Sequence, residues 1–138
     1  MKQFILILSF GLFIASAFSF IEKPLQEAWV APEEAKSLKN TNASNKKSIN
    51  NGESIYKTRC VICHGESGKG DGAGARMLKP KPADHTSESV QAQVDGEIFW
   101  KMSEGRGQMV GWGKGAKPII SESDRWDLVN YIRTLSGK

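Results

Sequence analysis

Apolar residues are distributed along this chain in two ways. From Phe4 to Phe18 they are almost continuous. Towards the C-terminus they become periodic: Leu128, Tyr131, Ile132 and Leu135 stand at i, i+3, i+4 and i+7, one face of an amphipathic helix. Ser121 opens that helix, and Asp124 three residues on completes a capping-box pattern. Gly52, Ile55, Tyr56 and Arg59 follow helical intervals too, which predicts a helix capped at Asn50 or Asn51 and running to about Cys60. A shorter helix is expected over Asp95–Met102. No stretch alternates as a strand should, and there is no internal repeat. The compact part, about Asn50 to Leu135, is therefore expected to be all-α with long glycine-rich loops, and such loops usually wrap something or carry function.

Between the two apolar regimes lies a polar, irregular stretch from Glu22 to Ile49, interrupted by Pro24 and Pro32. Its second half, Asn40 to Ser48, has the composition of a linker. Trp29, Val30 and Pro32 are more apolar than a tether needs. Packing back on the domain and a plain tether are both open for them.

The N-terminal run has the form of a secretory leader. Lys2 supplies the positive start and Ala15-Ser16-Ala17 a small-x-small cleavage site. The expected organisation is a signal peptide over 1–17, an extension or linker over 18–49 and one domain over 50–138. An uncleaved anchor is the alternative; the apolar run ends by Ile21, near the lower limit of about 17–25 residues for a spanning helix. Either way the remainder is expected outside the cytoplasm. Removing the leader leaves eighteen basic against fifteen acidic side chains, a net of +3, with no basic block longer than Lys46-Lys47. Nucleic-acid binding, which calls for clustered Lys and Arg interleaved with aromatics, is not indicated. A core of under 90 residues is marginal by itself, and a buried cofactor would supply apolar volume.

The two cysteines carry the chemistry. They lie three apart, and a histidine follows directly: Cys60-Val61-Ile62-Cys63-His64. A disulfide across so short a loop would stabilise little. Cysteines at i and i+3 on a helical turn project from one side, so each thiol can add to one vinyl group of a porphyrin. The adjacent imidazole is then held at the iron, and C-x-x-C-H reads as covalent haem attachment. A thioredoxin-like dithiol would need a βαβ setting, which is missing. A structural zinc site would need four ligands, and only Cys60, Cys63, His64 and His85 are at hand, poorly spaced. Three methionines follow as candidates for the iron's sixth position. Met77 is only 13 residues from His64, short for a chain passing around the ring edge. Met102 falls at helical spacing from Ile98 and reads as core. Met109 sits in Gly105-Arg106-Gly107-Gln108-Met109-Val110-Gly111-Trp112-Gly113, whose glycines let backbone approach a flat ligand, and is the preferred ligand.

On these residues the chain resembles the class I, mono-haem cytochromes c over about Asn50 to Leu135. Gly52 and Tyr56, eight and four residues before Cys60, match the family's small and aromatic positions, and Arg125 to Arg133 resembles its closing segment. The resemblance implies a small fold of three to five helices around one haem c, with first and last helices crossing at Gly52. It also implies an axial methionine shortly before the last helix, matching Met109, although Val110 stands where the family usually has proline. A carbonyl of the proline-rich stretch Lys79 to His85 is implied as acceptor for His64, with Pro80 or Pro82 as candidates. His85 is expected at the surface or against a propionate. Gly65 to Gly74 superficially suggests a phosphate loop, but the G-x-x-x-x-G-K-[ST] spacing is not there. Trp112 is left between a haem contact and core packing.

The expected function is one-electron transfer in a respiratory chain, in the periplasm or another exported compartment, without enzymatic turnover. The expected partners are redox proteins met through small, brief interfaces, and the expected state is a monomer. Two other readings stand beside it: a haem enzyme or gas sensor with an open iron position, and a domain docked permanently in a membrane complex through Trp29 to Pro32.

Overall fold

The computed structural model describes residues 28–115 and 119–137. The expected leader and the first part of the extension lie outside the described residues. The order is α1 (Glu33–Ser37), α2 (Lys46–Arg59), α3 (Val61–His64), a 3-10 turn (Ala73–Met77), α4 (Glu88–Gln91), α5 (Asp95–Glu104) and α6 (Glu122–Arg133). No strand is present among the described residues, only an isolated bridge between Arg106 and Met109. The all-α expectation holds. No helix among the described residues is long and apolar enough to cross a membrane.

Helices α2 and α6 form the main packing pair. Their apolar stripes bury Tyr56 on one side and Leu128, Val129, Tyr131, Ile132 and Leu135 on the other. Ile98, Phe99 and Met102 of α5 join the same core, with Phe99 stacked on Trp126 at 3.8 Å between ring centroids. Gly52 is the point of closest approach. A Cβ there would lie 2.1 Å from the Asp127 carbonyl oxygen and 2.9 Å from Tyr131 Cβ. Only glycine lets the two backbones meet so closely.

Helix α6 starts where the sequence placed it. Ser121 Oγ accepts from the Asp124 backbone N–H at 3.1 Å. Helix α2 starts five or six residues earlier than expected: the cap is Asn45, whose side chain accepts from Ser48 N–H, in place of Asn50 or Asn51.

That shift also corrects the reading of Asn40 to Ser48 as linker. The polar side chains there are held by α6. Asn40 Nδ2 donates to Asn130 Oδ1 at 2.8 Å, and Asn42 Nδ2 donates to Asp127 Oδ1 at 2.7 Å. Ser48 hydroxyl donates to the same Asp127 oxygen, and Asn51 Nδ2 donates to the other at 2.7 Å. Composition cannot separate asparagines that face water from asparagines that face a buried carboxylate. Further upstream, Ala31 and Ala35 are buried, α1 packs on α5, and the Trp29 ring lies 6.3 Å from that of Trp100. The Trp29 region therefore packs back on the domain.

Two outcomes follow from this packing. Gly52→Ala overpacks the α2–α6 crossing and is expected to cost about 2–3 kcal/mol, a fall of roughly 10 °C in Tm by thermal melting of the haem-loaded protein. Burial opposes the charged form of Asp127, but hydrogen bonds from Ser48, Asn51 and Asn42, with Lys47 nearby, outweigh it and hold the carboxyl below the usual range. A depressed carboxyl pKa contributes stability that is present above the unfolded value near pH 4 and lost as pH falls through the folded value. Melting curves between about pH 6 and 2 should accordingly show a shallower acid limb for Asp127→Asn than for the parent.

Candidate haem site

The packing pair delivers the motif to its place. Helix α2 ends at Arg59, and Cys60 begins the single turn α3 that carries the next four residues. Backbone N–H groups of Cys63 and His64 both donate to the Cys60 carbonyl, at 3.1 and 2.8 Å, which closes the turn. Tyr56, one turn before Cys60, is fully buried in the core, so the motif is anchored from behind. Both thiols are free and partly accessible.

Burial, and then the neighbouring Cys63, push the Cys60 thiol up to about 12. A redox dithiol works through a lowered thiol pKa, so this environment argues against the thioredoxin-like alternative. Among the described residues no group of three or more His, Cys, Asp or Glu is arranged to hold a metal ion.

His64 is buried, and its Nδ1 lies 3.1 Å from the Ala83 carbonyl oxygen. A carbonyl only accepts, so Nδ1 carries the proton and Nε2 keeps its lone pair. Burial lowers the His64 pKa, with the Ala83 hydrogen bond opposing, and so favours the neutral ring. Metal-ligating histidines are commonly oriented in this way, through the ring nitrogen that does not bind the metal. The acceptor is Ala83, which corrects the assignment to Pro80 or Pro82. The sequence located the proline-rich segment but not which of its carbonyls turns inward.

The glycine-rich stretch after the motif is a clasp, not a phosphate loop. The N–H groups of Gly68, Gly70 and Gly72 donate to the carbonyls of Gly65, His64 and Cys63 at 3.2, 2.9 and 3.2 Å. Donors used within the loop cannot cradle an anion.

His85, expected at the surface or against a propionate, is partly buried. It is neither a free surface group nor an isolated one: its ring stacks on His64 with 4.1 Å between centroids and 17° between planes. Burial, and secondarily His64 beside it, lower its pKa to about 3.

The three methionines separate clearly. Met102 is 6% exposed within the core cluster, and Met77 is 87% exposed. Met109 is part-buried on a built loop. Arg106 and Met109 exchange backbone hydrogen bonds of 3.1 and 3.0 Å around Gly107-Gln108. Gly107 has φ +58°, the positive value that a two-residue turn of this kind requires at its first central position. Beyond the turn, Trp112 N–H donates to Met102 O and Gly113 N–H to Ser103 O, at 3.1 and 3.0 Å. The loop thereby satisfies carbonyls that the end of α5 would leave without partners. Trp112 is partly buried and packs against the hydrophobic core.

The donor set fits a covalently held haem. Cys60 and Cys63 are thiols on one turn, and His64 is a neutral imidazole with Nε2 unpartnered among the described residues. The two sulfurs would hold the porphyrin and His64 the iron. When bound, the haem supplies one reversible electron at iron.

Comparison with known proteins agrees with this chemistry. The family model for cytochrome c matches residues 49–136. Cytochrome c6 of Alaria esculenta is 29% identical over 90 residues, which span 65% of this chain and 94% of that protein. A chain of the reducing HAO-like protein complex of Kuenenia stuttgartiensis shares the fold at TM-score 0.59 and 24% identity. That match covers 72% of this chain but only 49% of the other. This chain belongs to the cytochrome c family and is a haem-containing electron carrier.

Proposed function

We propose that the chain is an exported, monomeric one-electron carrier of a respiratory chain, with one haem c on Cys60 and Cys63 and with His64 and Met109 as axial ligands. The observation that carries the ligand assignment is the contrast among the methionines. Met102 is spent on the core and Met77 stands in solvent, while Met109 lies part-buried on a loop laced to α5. A thioether sulfur is soft and favours reduced iron, so Met109 would raise the potential. With both axial positions filled from the chain, no site is left for a substrate, and the protein carries electrons without enzymatic turnover.

The apolar run Phe4–Phe18 with Ala15-Ser16-Ala17 supports export to the periplasm or an equivalent compartment. Donor and acceptor would be redox proteins that dock through small, brief interfaces. Val110, 49% exposed after the ligand, lacks the stiffening that proline gives, so the bond to Met109 is expected to be comparatively labile.

The test is a pair of substitutions read by visible spectroscopy and by CO addition to the reduced protein. Met109→Ala should abolish the weak sulfur-to-iron band, lower the potential and admit CO promptly. Met102→Ala should keep the band and exclude CO while costing about 2–5 kcal/mol of stability as a core truncation. The opposite pattern would transfer the ligand role to Met102.

A further inference from the structure

His85 is held more tightly than a surface loop residue needs to be. Its backbone N–H donates to the Gly68 carbonyl at 2.7 Å, and its carbonyl accepts from Gln91 Nε2 at 2.6 Å. The same Gln91 nitrogen donates to the Ile132 carbonyl of α6 at 3.0 Å. The imidazole is wedged between two rings. Tyr56 meets it edge-on at 5.8 Å between centroids, and His64 stacks on it at 4.1 Å. The Tyr56 hydroxyl lies 3.3 Å from both the Gly65 carbonyl oxygen and His85 Nδ1. One hydroxyl hydrogen serves one acceptor, so with the carbonyl accepting, His85 Nδ1–H donates to the phenol oxygen. Tyr56 thus holds the His85 ring, while Gln91, bridging to the Ile132 carbonyl, holds its backbone.

A face-to-face pair of imidazoles cannot approach one iron from opposite sides, so His85 is not an alternative sixth ligand. Its flat face acts on His64 instead. The hydrogen bond to Ala83 restrains the His64 ring within its own plane, and a stacked ring restrains it against rotation out of that plane. We propose that His85 is a positioning residue that sets the orientation of the His64 ring, and through it the electronic structure of the bound iron. The inference rests on His64 being the proximal ligand and deepens that reading.

The test compares haem-loaded protein carrying His85→Phe, His85→Leu and His85→Met. All three roughly conserve volume, which cores tolerate best, and all lose the bond to Tyr56. Only Phe keeps a planar face. The readouts are the paramagnetically shifted haem methyl resonances of the oxidised protein, whose order and spread follow axial-ring orientation, together with the reduction potential. Phe should retain the parent's methyl order and potential, whereas Leu and Met should both change the methyl spread and shift the potential. Leu and Met spectra identical to the parent would overturn the proposal, even with a lowered Tm in all variants. Failure of the ligand reading would show in the parent itself, as a spectrum without His64 ring signals, and the proposal would fall with it. Loss of Met109 as ligand would appear separately, in the parent's methionine methyl signal, and would leave the His85 comparison readable.

Discussion

The rest of this structure depends on the contact between Gly52 and the backbone of α6. With a Cβ at 2.1 Å from the Asp127 carbonyl excluded, no other residue fits without moving a helix. The two backbones lock there, and Tyr56, one turn further along α2, is driven into the core against Tyr131, with 5.2 Å between ring centroids. The next turn is the haem motif. The distance from the crossing to Cys60 is only two helical turns, so little slack accumulates between the packing and the chemistry.

From that anchor outward, each layer of the site is held by backbone groups. The α3 carbonyls take the loop amides of Gly70 and Gly72, the Ala83 carbonyl takes the His64 ring, and the last carbonyls of α5 take the amides of Trp112 and Gly113. Backbone hydrogen bonds suit a carrier whose iron environment must change little between oxidation states. They resist small displacements and ask nothing of side-chain rotamers. The chain around them is free to vary in side chain, which agrees with a fold shared with a solved structure at only 24% identity.

How much of this was legible in the sequence depended on how local each signal was. The Ser121–Asp124 cap and the periodicity of Leu128 to Leu135 are contained in a few consecutive residues, and the structure reproduces the helix start and the buried face they predict. Asn40, Asn42 and Ser48 were read as solvated chain because their partners, Asp127 and Asn130, lie more than 75 residues away. The Ala83 acceptor was missed by one residue for a similar reason: composition marks a rigid segment but not the direction of its carbonyls. His85 follows Asp84 in an exposed-looking run, and only the fold places it on His64. Among the methionines, periodicity identified Met102 as core, and the structure buries it to 6% exposure.

The central claim is that Cys60, Cys63 and His64 form a covalent haem site. Intact mass under denaturing conditions tests it most directly, on protein expressed with a haem-attachment system. The account predicts a single species heavier than the chain by one haem, and loss of that increment when Cys60 and Cys63 are both replaced by serine. A chain mass without added haem, or an increment that survives the double replacement, would contradict it.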